Sequence, residues 1–577
     1  MNSRDAPPQG EGRQLMTGGE AVVETLTRFR VEMMFGLPGD QTDIYDAIHR
    51  RPGIRHVLVR HEQAAAHMAD AYARKTGKVG VCDAAVGPGA TNLVSGISEA
   101  FTSGIPVIAV TSAIRTDWRG RDSFQEIDQV GVFKPITKAV FSVDHVARIP
   151  EFLSRAFQIA ATGRPGPVLL NLPLDVLKGQ YEFAAQELAV NERYGRFPAS
   201  RVTPPREDIS AAVDSLLAAR RPMILAGGGV IASRATDEVR ELAELLGAAV
   251  ATTFMGKGAL AEDHPLCLGP FGLLGRPATN EQVLGADFVL ALGTRFTNVD
   301  TAGWRIPSRK TRVIQIDIEP TQIGRNYFVD RALPGDVKAV LRSMLDIIMS
   351  RGAFTPHHSQ PEEVSEITSR WRKERGIQSA VARDDDASPV HPLQVIRALR
   401  NTMSTEDVLI CDSGFNQIWG GQYFEVRKPG RSYMGPRGFG VMGFSLPAAI
   451  AHALADPDRR VVALCGDGGF AMVIQELETA LRNGAHVTVC IMNNSRLQYI
   501  RENQRLLHES RFISTEFSDL DFASIARAFG CMGIRVERSG DLEDALSAAL
   551  ASKLPAVVDV RVMTDVVPDR MSLQSLS

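Results

Sequence analysis

Short apolar runs separated by longer amphipathic stretches recur along most of this chain. Residues 79–84 (VGVCDA), 105–112 (IPVIAVTS) and 167–172 (PVLLNL) read as buried strands in a first block. In a second block, beginning near 206, residues 223–225 precede Gly227-Gly228-Gly229, 288–292 precede Gly293, and 313–318 form a further run. A third block, from about 390 to 566, holds 460–465 (RVVALC) and 486–492 (HVTVCIM). Near-continuous apolar runs alternating with helical stretches predict βαβ units and parallel sheets. The expected fold is α/β, with three doubly wound parallel-sheet domains at 15–181, 205–349 and 390–577. Residues 1–14 read as a disordered tail. The charged, Pro-containing stretch 182–204 reads as a linker. So does the polar stretch 350–389, which holds Asp384-Asp385-Asp386 and one exposed helix.

Composition narrows the function classes. The chain has 577 residues, 44% hydrophobic and 23% charged, with a net charge of -3. A nucleic-acid binder should carry a concentrated basic face, and none is evident. No run of 18 or more apolar residues suggests a membrane span. The polar start, MNSRDAPPQGEGRQ, lacks the apolar core of a secretory signal. The six cysteines are scattered, and Cys82, Cys411, Cys465 and Cys490 fall in strand-like runs. Buried reduced thiols in a cytoplasmic protein are the expectation.

The sharpest chemical signal lies in the third block. The strand at 460–465 leads directly into Gly466-Asp467-Gly468-Gly469, then a helical stretch from about 472 to 483. The next strand, 486–492, ends at Asn493-Asn494, with 24 residues between Gly-Asp-Gly and Asn-Asn. Glycines at a strand end put backbone N–H groups at a helix start, a favourable place for a diphosphate. Asp467 offers a hard oxygen for Mg²⁺, and Asn494 offers an amide oxygen from the next strand end. Mg²⁺ takes six oxygens and commonly shares phosphate oxygens. Gly-Asp-Gly alone is also a common turn. Framed by two strands and paired with Asn-Asn, it resembles the signature of thiamine diphosphate (ThDP) enzymes. That resemblance implies metal ligation by Asp467, Asn494 and the main-chain carbonyl of Arg496.

The likeness extends over about 15 to 565 and is to the acetolactate synthase (acetohydroxyacid synthase) large-subunit family. Arg60-His61-Glu62-Gln63-Ala64-Ala65-Ala66-His67-Met68-Ala69 matches that family's HEQ-x-A-x-HMA run. Glu62 would hydrogen-bond the ThDP pyrimidine and help the cofactor lose its reactive proton. Gly87-Pro88-Gly89-Ala90-Thr91-Asn92 matches GPGATN, and Phe124-Gln125-Glu126 matches FQE, whose Gln lies near substrate in relatives. Gly39 belongs to the family's PGG loop. Asp412-Ser413-Gly414-Phe415-Asn416 is similar to D-x-G-Q-H, placing Gly414 and Asn416 at the diphosphate. Gly438-Phe439-Gly440-Val441-Met442-Gly443-Phe444 matches GLGTMGF, with Met442 as the apolar support beneath the cofactor. The three domains would then be pyrimidine-binding, central and diphosphate-binding. The family's sites lie between subunits, so a homodimer or homotetramer is implied, and a regulatory subunit stays open.

Several positions depart from the family. Val299 stands where the FDDR arginine holds the second oxo acid. Asn503 replaces a tryptophan of the acceptor pocket, and Asp40 replaces a glycine in PGG. Arg295, Asp317 and Asp336 match positions that contact FAD, and Gly269-Pro270-Phe271-Gly272 resembles the GMHG loop. Relatives without flavin share this domain, so FAD stays open. The leading expectation is decarboxylation of a 2-oxo acid such as pyruvate and ligation to a second carbonyl, a 2-oxo acid or aldehyde. A decarboxylase or C–C lyase, a pyruvate oxidase-like flavoenzyme and a non-catalytic ThDP-fold subunit are the alternatives.

Overall fold

The computed structural model describes residues 13–352, 361–374 and 386–569. The chain divides into two compact units, Met1–Ala199 and Ser200–Ser577.

The first unit is built on a six-stranded parallel sheet. In spatial order its strands are Arg55–Leu58, Met33–Gly36, Gly80–Ala84, Val107–Ala113, Val168–Pro173 and Ala139–Ser142. Numbered along the chain, that order is 2-1-3-4-6-5. The direction of winding reverses between the first and third strands, and ligands of open α/β sheets sit outside the carboxyl ends at such a point. The run Gly80–Ala84 is buried at every position, as expected of a strand covered on both faces.

Two boundaries of this unit differ from expectation. Residues 1–12 of the expected tail lie outside the described residues. Gln14 already belongs to the strand Gln14–Thr17, which pairs antiparallel with Gln180–Phe183. The helix Gly18–Arg28 follows at once, started by a capping box between Thr17 and Glu20. The stretch expected as a linker is tied to the domain. Val79 donates its N–H to the Gly195 carbonyl at 2.9 Å, and Phe197 donates to Gly77 at 2.9 Å.

The second unit holds two more six-stranded parallel sheets. The central one runs Cys267–Pro270, Ala249–Thr252, Pro222–Ala226, Phe288–Leu292, Arg312–Asp317, Arg331–Pro334. Its chain order, 3-2-1-4-5-6, switches between Pro222–Ala226 and Phe288–Leu292. The glycine loops after those strands pack backbone against backbone. A Cβ on Gly227 would lie 2.3 Å from the Gly293 carbonyl oxygen. The last sheet runs Tyr433–Met434, Val408–Cys411, Val461–Gly466, Val487–Asn493, Ala556–Arg561, Met532–Val536. Its order is 2-1-3-4-6-5, the same as in the first unit.

The polar stretch 350–389 holds the helix Pro361–Glu374, but that helix is not simply exposed. Val364, Ile367 and Trp371 are all buried. Their i, i+3, i+7 spacing makes a narrow apolar stripe in an otherwise polar segment. The run Asp384-Asp385 lies outside the described residues. All six cysteines are buried free thiols, and burial pushes those of Cys267, Cys411 and Cys490 up to about 12. Among the described residues, no helix is long and apolar enough to cross a membrane.

Candidate active site

The Gly-Asp-Gly and Asn-Asn motifs fall at the carboxyl ends of adjacent strands, Val461–Gly466 and Val487–Asn493, which are paired in parallel. Asp467 begins a short helix, Asp467–Ala471. Its Oδ1 accepts the Gly468 N–H at 2.8 Å and its Oδ2 accepts the Arg496 N–H at 3.2 Å. Among the described residues, no lysine or arginine pairs with it. Burial pushes the Asp467 carboxyl up to about 6, with the backbone N–H groups of Gly468 and Asn494 to Arg496 pulling the other way. Ser495 takes φ +55°, a left-handed turn that folds Arg496 back onto Asp467.

The two asparagines divide their work. Asn493 is buried, and its amide donates to Asp559 at 2.9 Å while its oxygen accepts from Arg561 at 3.0 Å. Asn494 is half-buried and lines a cavity of about 400 Å³. Arg496 also lines it, and its side chain lies 3.6 Å from Glu516. Gly414, Asn416, Met442, Gly466, Gly468 and Gly469 line that cavity together with Asp467, Asn494 and Arg496.

Asn416 Nδ2 donates to the carbonyls of Asp412 and Leu464, at 2.8 and 3.2 Å. Its donor is thus engaged at the strand ends. Asp412 escaped the sequence reading as a structural centre. It is fully buried and accepts from the N–H groups of Ser413, Gly443 and Ser445 and from Ser445 Oγ, at 2.8 to 3.0 Å. These bonds fix the loop that carries Met442. An acid directly after a strand was the only signal for it.

Among the described residues, no group of three or more His, Cys, Asp or Glu is placed to hold a metal. The Asp467 set has one carboxylate, and its other oxygens are amide and main-chain. Such a set suits a hard cation that completes its shell with phosphate oxygens. An uncompensated buried carboxylate fits the same group.

In the first unit, four expected residues gather at the carboxyl end of the sheet. Glu62 starts the helix Glu62–Thr76 behind the N-cap His61. It is buried, and its Oε2 accepts from Asn92 Nδ2 at 2.9 Å. A Cβ on Gly89 would lie 3.3 Å from Glu62 Oε1. Gly87 takes φ +69°, and a Cβ there would come within 2.6 Å of the Gln125 carbonyl oxygen. Only glycine meets both demands. The Gly39 turn lies on Ala85, and Asp40 next to it accepts from Ser112 Oγ at 2.7 Å. Gln129 was missed. Its Oε1 accepts the Gly87 N–H at 3.0 Å, and its Nε2 donates to Asn171 and Ser112. A glutamine in a mixed sequence gives no such signal.

The same helix buries His67, whose pKa is driven down to about 4 by loss of solvent. A histidine depressed from 6.5 stabilises the fold above pH 6.5, and the stability is lost as pH falls toward 4. The contribution is on the order of 3 kcal/mol at most. Melting temperature is expected to fall between pH 6.5 and 4 in the native chain, and to fall less in His67→Gln. Equal acid sensitivity of the two would show that other groups control it.

In the central domain, Arg295 and Asp336 follow the strands Phe288–Leu292 and Arg331–Pro334, and Asp317 ends the strand Arg312–Asp317. Asp336 caps the helix Val337–Ser350 and accepts from Arg201 at 2.5 Å and Ser233 Oγ at 2.8 Å. Asp317 accepts the Glu319 N–H at 3.0 Å, and the Arg295 carbonyl accepts from Asn326. Val299 lines the 400 Å³ cavity, whereas Asn503 lies on the helix Gln498–Leu507, of which Gln498, Tyr499 and Ile500 reach that wall.

Comparison with known proteins matches three stretches of the chain to family models. Residues 16–132 match the thiamine pyrophosphate enzyme N-terminal TPP binding domain, 209–344 the central domain and 412–560 the C-terminal TPP binding domain. The chain is 37% identical to a probable acetolactate synthase large subunit of Methanococcus aeolicus, over 95% of this chain and 92% of that one. It is 38% identical to an acetolactate synthase of Mycobacterium bovis, over 96% and 89%. An acetolactate synthase large subunit of Buchnera aphidicola is 34% identical over 93% and 92%.

Proposed function

The chain belongs to the acetolactate synthase family of thiamine pyrophosphate enzymes, and from that premise we propose that it is a ThDP- and Mg²⁺-dependent enzyme that decarboxylates a pyruvate-like 2-oxo acid and joins the retained acyl fragment to a second carbonyl. The support comes chiefly from one observation. A buried carboxylate without a cation, Asp467, shares one cavity with every cofactor position expected in the third block.

In this reading Asp467, Asn494 and the Arg496 carbonyl hold Mg²⁺. Gly414 and Gly466 to Gly469 let the backbone approach the diphosphate. When bound, ThDP supplies a carbon nucleophile and then an electron sink for loss of CO₂. The chain's own groups do the rest. Met442 supports the cofactor from an apolar side. Glu62 holds and returns a proton at its carboxyl oxygens, acting from one subunit on the cofactor of another. Gln125 orients the substrate. We read 15–181, 205–349 and 390–577 as the pyrimidine-binding, central and diphosphate-binding domains of a cytoplasmic homodimer or homotetramer. The relatives' name, large subunit, makes a smaller regulatory partner worth seeking.

Val299 in the cavity wall favours a second reading, a decarboxylase or lyase, because it offers no charge to a second oxo acid. A flavoenzyme would need FAD at Arg295, Asp317 and Asp336. Asp336 is already bonded to Arg201, Ser233 and its own helix, so no step is placed on a flavin. Flavin absorbance in the purified protein, bleached by substrate, would replace our reading with that one. The direct test is incubation with ThDP, Mg²⁺ and pyruvate, assaying CO₂ and acetolactate. Acetolactate in step with CO₂ is expected. CO₂ alone would select the second reading or a different acceptor, and no CO₂ would exclude pyruvate as donor.

A further inference from the structure

A second cavity, of about 340 Å³, opens beside the helix Pro361–Glu374 and shares no lining residue with the first. Arg372, Arg397, Arg400 and Arg427 line it, against one carboxylate, Glu425. Three of these arginines converge on that residue. Arg372 pairs with Glu425 Oε1, Arg427 lies 3.6 Å from Oε2, and Arg400 donates to the Glu425 carbonyl at 3.1 Å. Arg400 also donates to the carbonyls of Met403 and Ser404, at 2.6 and 2.8 Å, and a fifth lining arginine, Arg276, is committed to Glu262 at 2.9 Å and to the Gln422 carbonyl at 2.9 Å.

Two further groups on the wall point the same way. Trp371 is buried, with its ring stacked on Tyr423 at 5.0 Å between centroids, and its Nε1–H has no acceptor among the described residues. The Arg400 Nε–H is likewise buried without an acceptor. Buried donors are normally satisfied, and unmatched ones call for an explanation. Burial and the neighbouring Arg427 also hold the Arg400 guanidinium below its ordinary pKa. Among the described residues, the wall therefore carries more arginines than carboxylates, and two of its buried donors lack an acceptor. A concave basic surface of this kind focuses field on an anion. Arginine forks suit phosphate oxygens, which they can bind in pairs. The volume lies within the range of small-molecule sites, roughly 300–1,000 Å³, and exceeds the needs of a single small ion.

We propose that this cavity is a second ligand site, taking a phosphate-bearing polyanion of diphosphate size. Inorganic pyrophosphate and the diphosphate of a nucleotide share that chemistry. The site stands apart from the proposed catalytic cavity and does not depend on the reaction assigned there.

The test is calorimetric titration of the protein saturated with ThDP and excess Mg²⁺, using pyrophosphate and, separately, ADP. Saturable binding of at least one anion is expected. Equal affinities would mark a bare diphosphate site, and tighter ADP binding would mark a nucleotide site. Both results support the proposal. Arg427, exposed and only loosely paired, is expected on replacement by alanine to weaken binding at least about tenfold, as loss of a charged hydrogen bond should. Trp371→Phe, which removes the N–H and keeps the ring, gives a second reading. Titration of Asp467→Ala with excess Mg²⁺ and without ThDP keeps the two cavities distinguishable, because binding at the arginine site persists there. Absence of binding by both anions would overturn the proposal. So would affinity left unchanged in both Arg427→Ala and Trp371→Phe.

Discussion

Replacing Asp467 by alanine is expected to abolish Mg²⁺-dependent ThDP binding while making the cofactor-free protein more stable. The first effect follows from the donor set, whose only carboxylate is Asp467. Loss of groups that merely support a metal ligand costs about 10–100-fold in affinity, so loss of the ligand itself should cost at least ~100-fold. The second effect follows from burial. The Asp467 carboxyl is raised from 3.8 to about 6 because water is excluded and no cation replaces it. For a raised acid, the folded state holds the proton more tightly than the unfolded one. Its stabilising contribution is present below pH 3.8 and is lost as pH rises through 6. At neutral pH the buried charge therefore costs up to ~3 kcal/mol, which alanine removes. Calorimetry of Mg²⁺ and ThDP binding checks the first effect, and thermal melting without cofactor checks the second. A variant that binds ThDP as tightly as the native chain would refute the clamp. A variant that melts lower would show that the site is not held at a cost to stability.

That trade of stability for a binding site helps explain what was legible in the sequence. The strands were readable because parallel strands buried on both faces must be nearly all apolar, and 288–292 matched the strand Phe288–Leu292. The Gly-Asp-Gly and Asn-Asn motifs were readable as a pair, and they fall at the ends of neighbouring strands, Val461–Gly466 and Val487–Asn493. The strand orders were not readable, since a crossover leaves no mark in local pattern. Nor were the groups that hold the site through space. Asp412 ties the Met442 loop to its strand, and Gln129 ties the Gly87 turn to two neighbouring strands. Their partners lie far away in the chain. The helix Pro361–Glu374 shows the remaining limit. Three apolar residues among many charges look like an exposed surface, yet Trp371 is buried beneath Arg276, at 4.5 Å over its ring.

Glu62→Gln is the other change expected to have a large effect, and it should leave the fold alone. Glu62 is buried and its side-chain hydrogen-bond partner among the described residues, Asn92 Nδ2 at 2.9 Å, is a neutral donor. A glutamine oxygen can accept that bond in the same place, so the helix start at His61 and the Gly87 to Gly89 turn keep their packing. What glutamine removes is the exchangeable proton. Positioned acid–base groups contribute typically ~10²–10⁴-fold, and turnover should fall by that amount while ThDP binding changes little. CO₂ release and exchange of the bound cofactor's C2 proton into deuterated solvent measure this together. Both should fall in parallel. Exchange at the native rate would remove Glu62 from the proton-transfer role, whatever happened to turnover. Asn92→Ala separates positioning from chemistry. It deletes the donor but keeps the carboxyl, so a smaller loss than in Glu62→Gln is expected, and an equal loss would mean that orientation of Glu62, set by Asn92, limits the reaction.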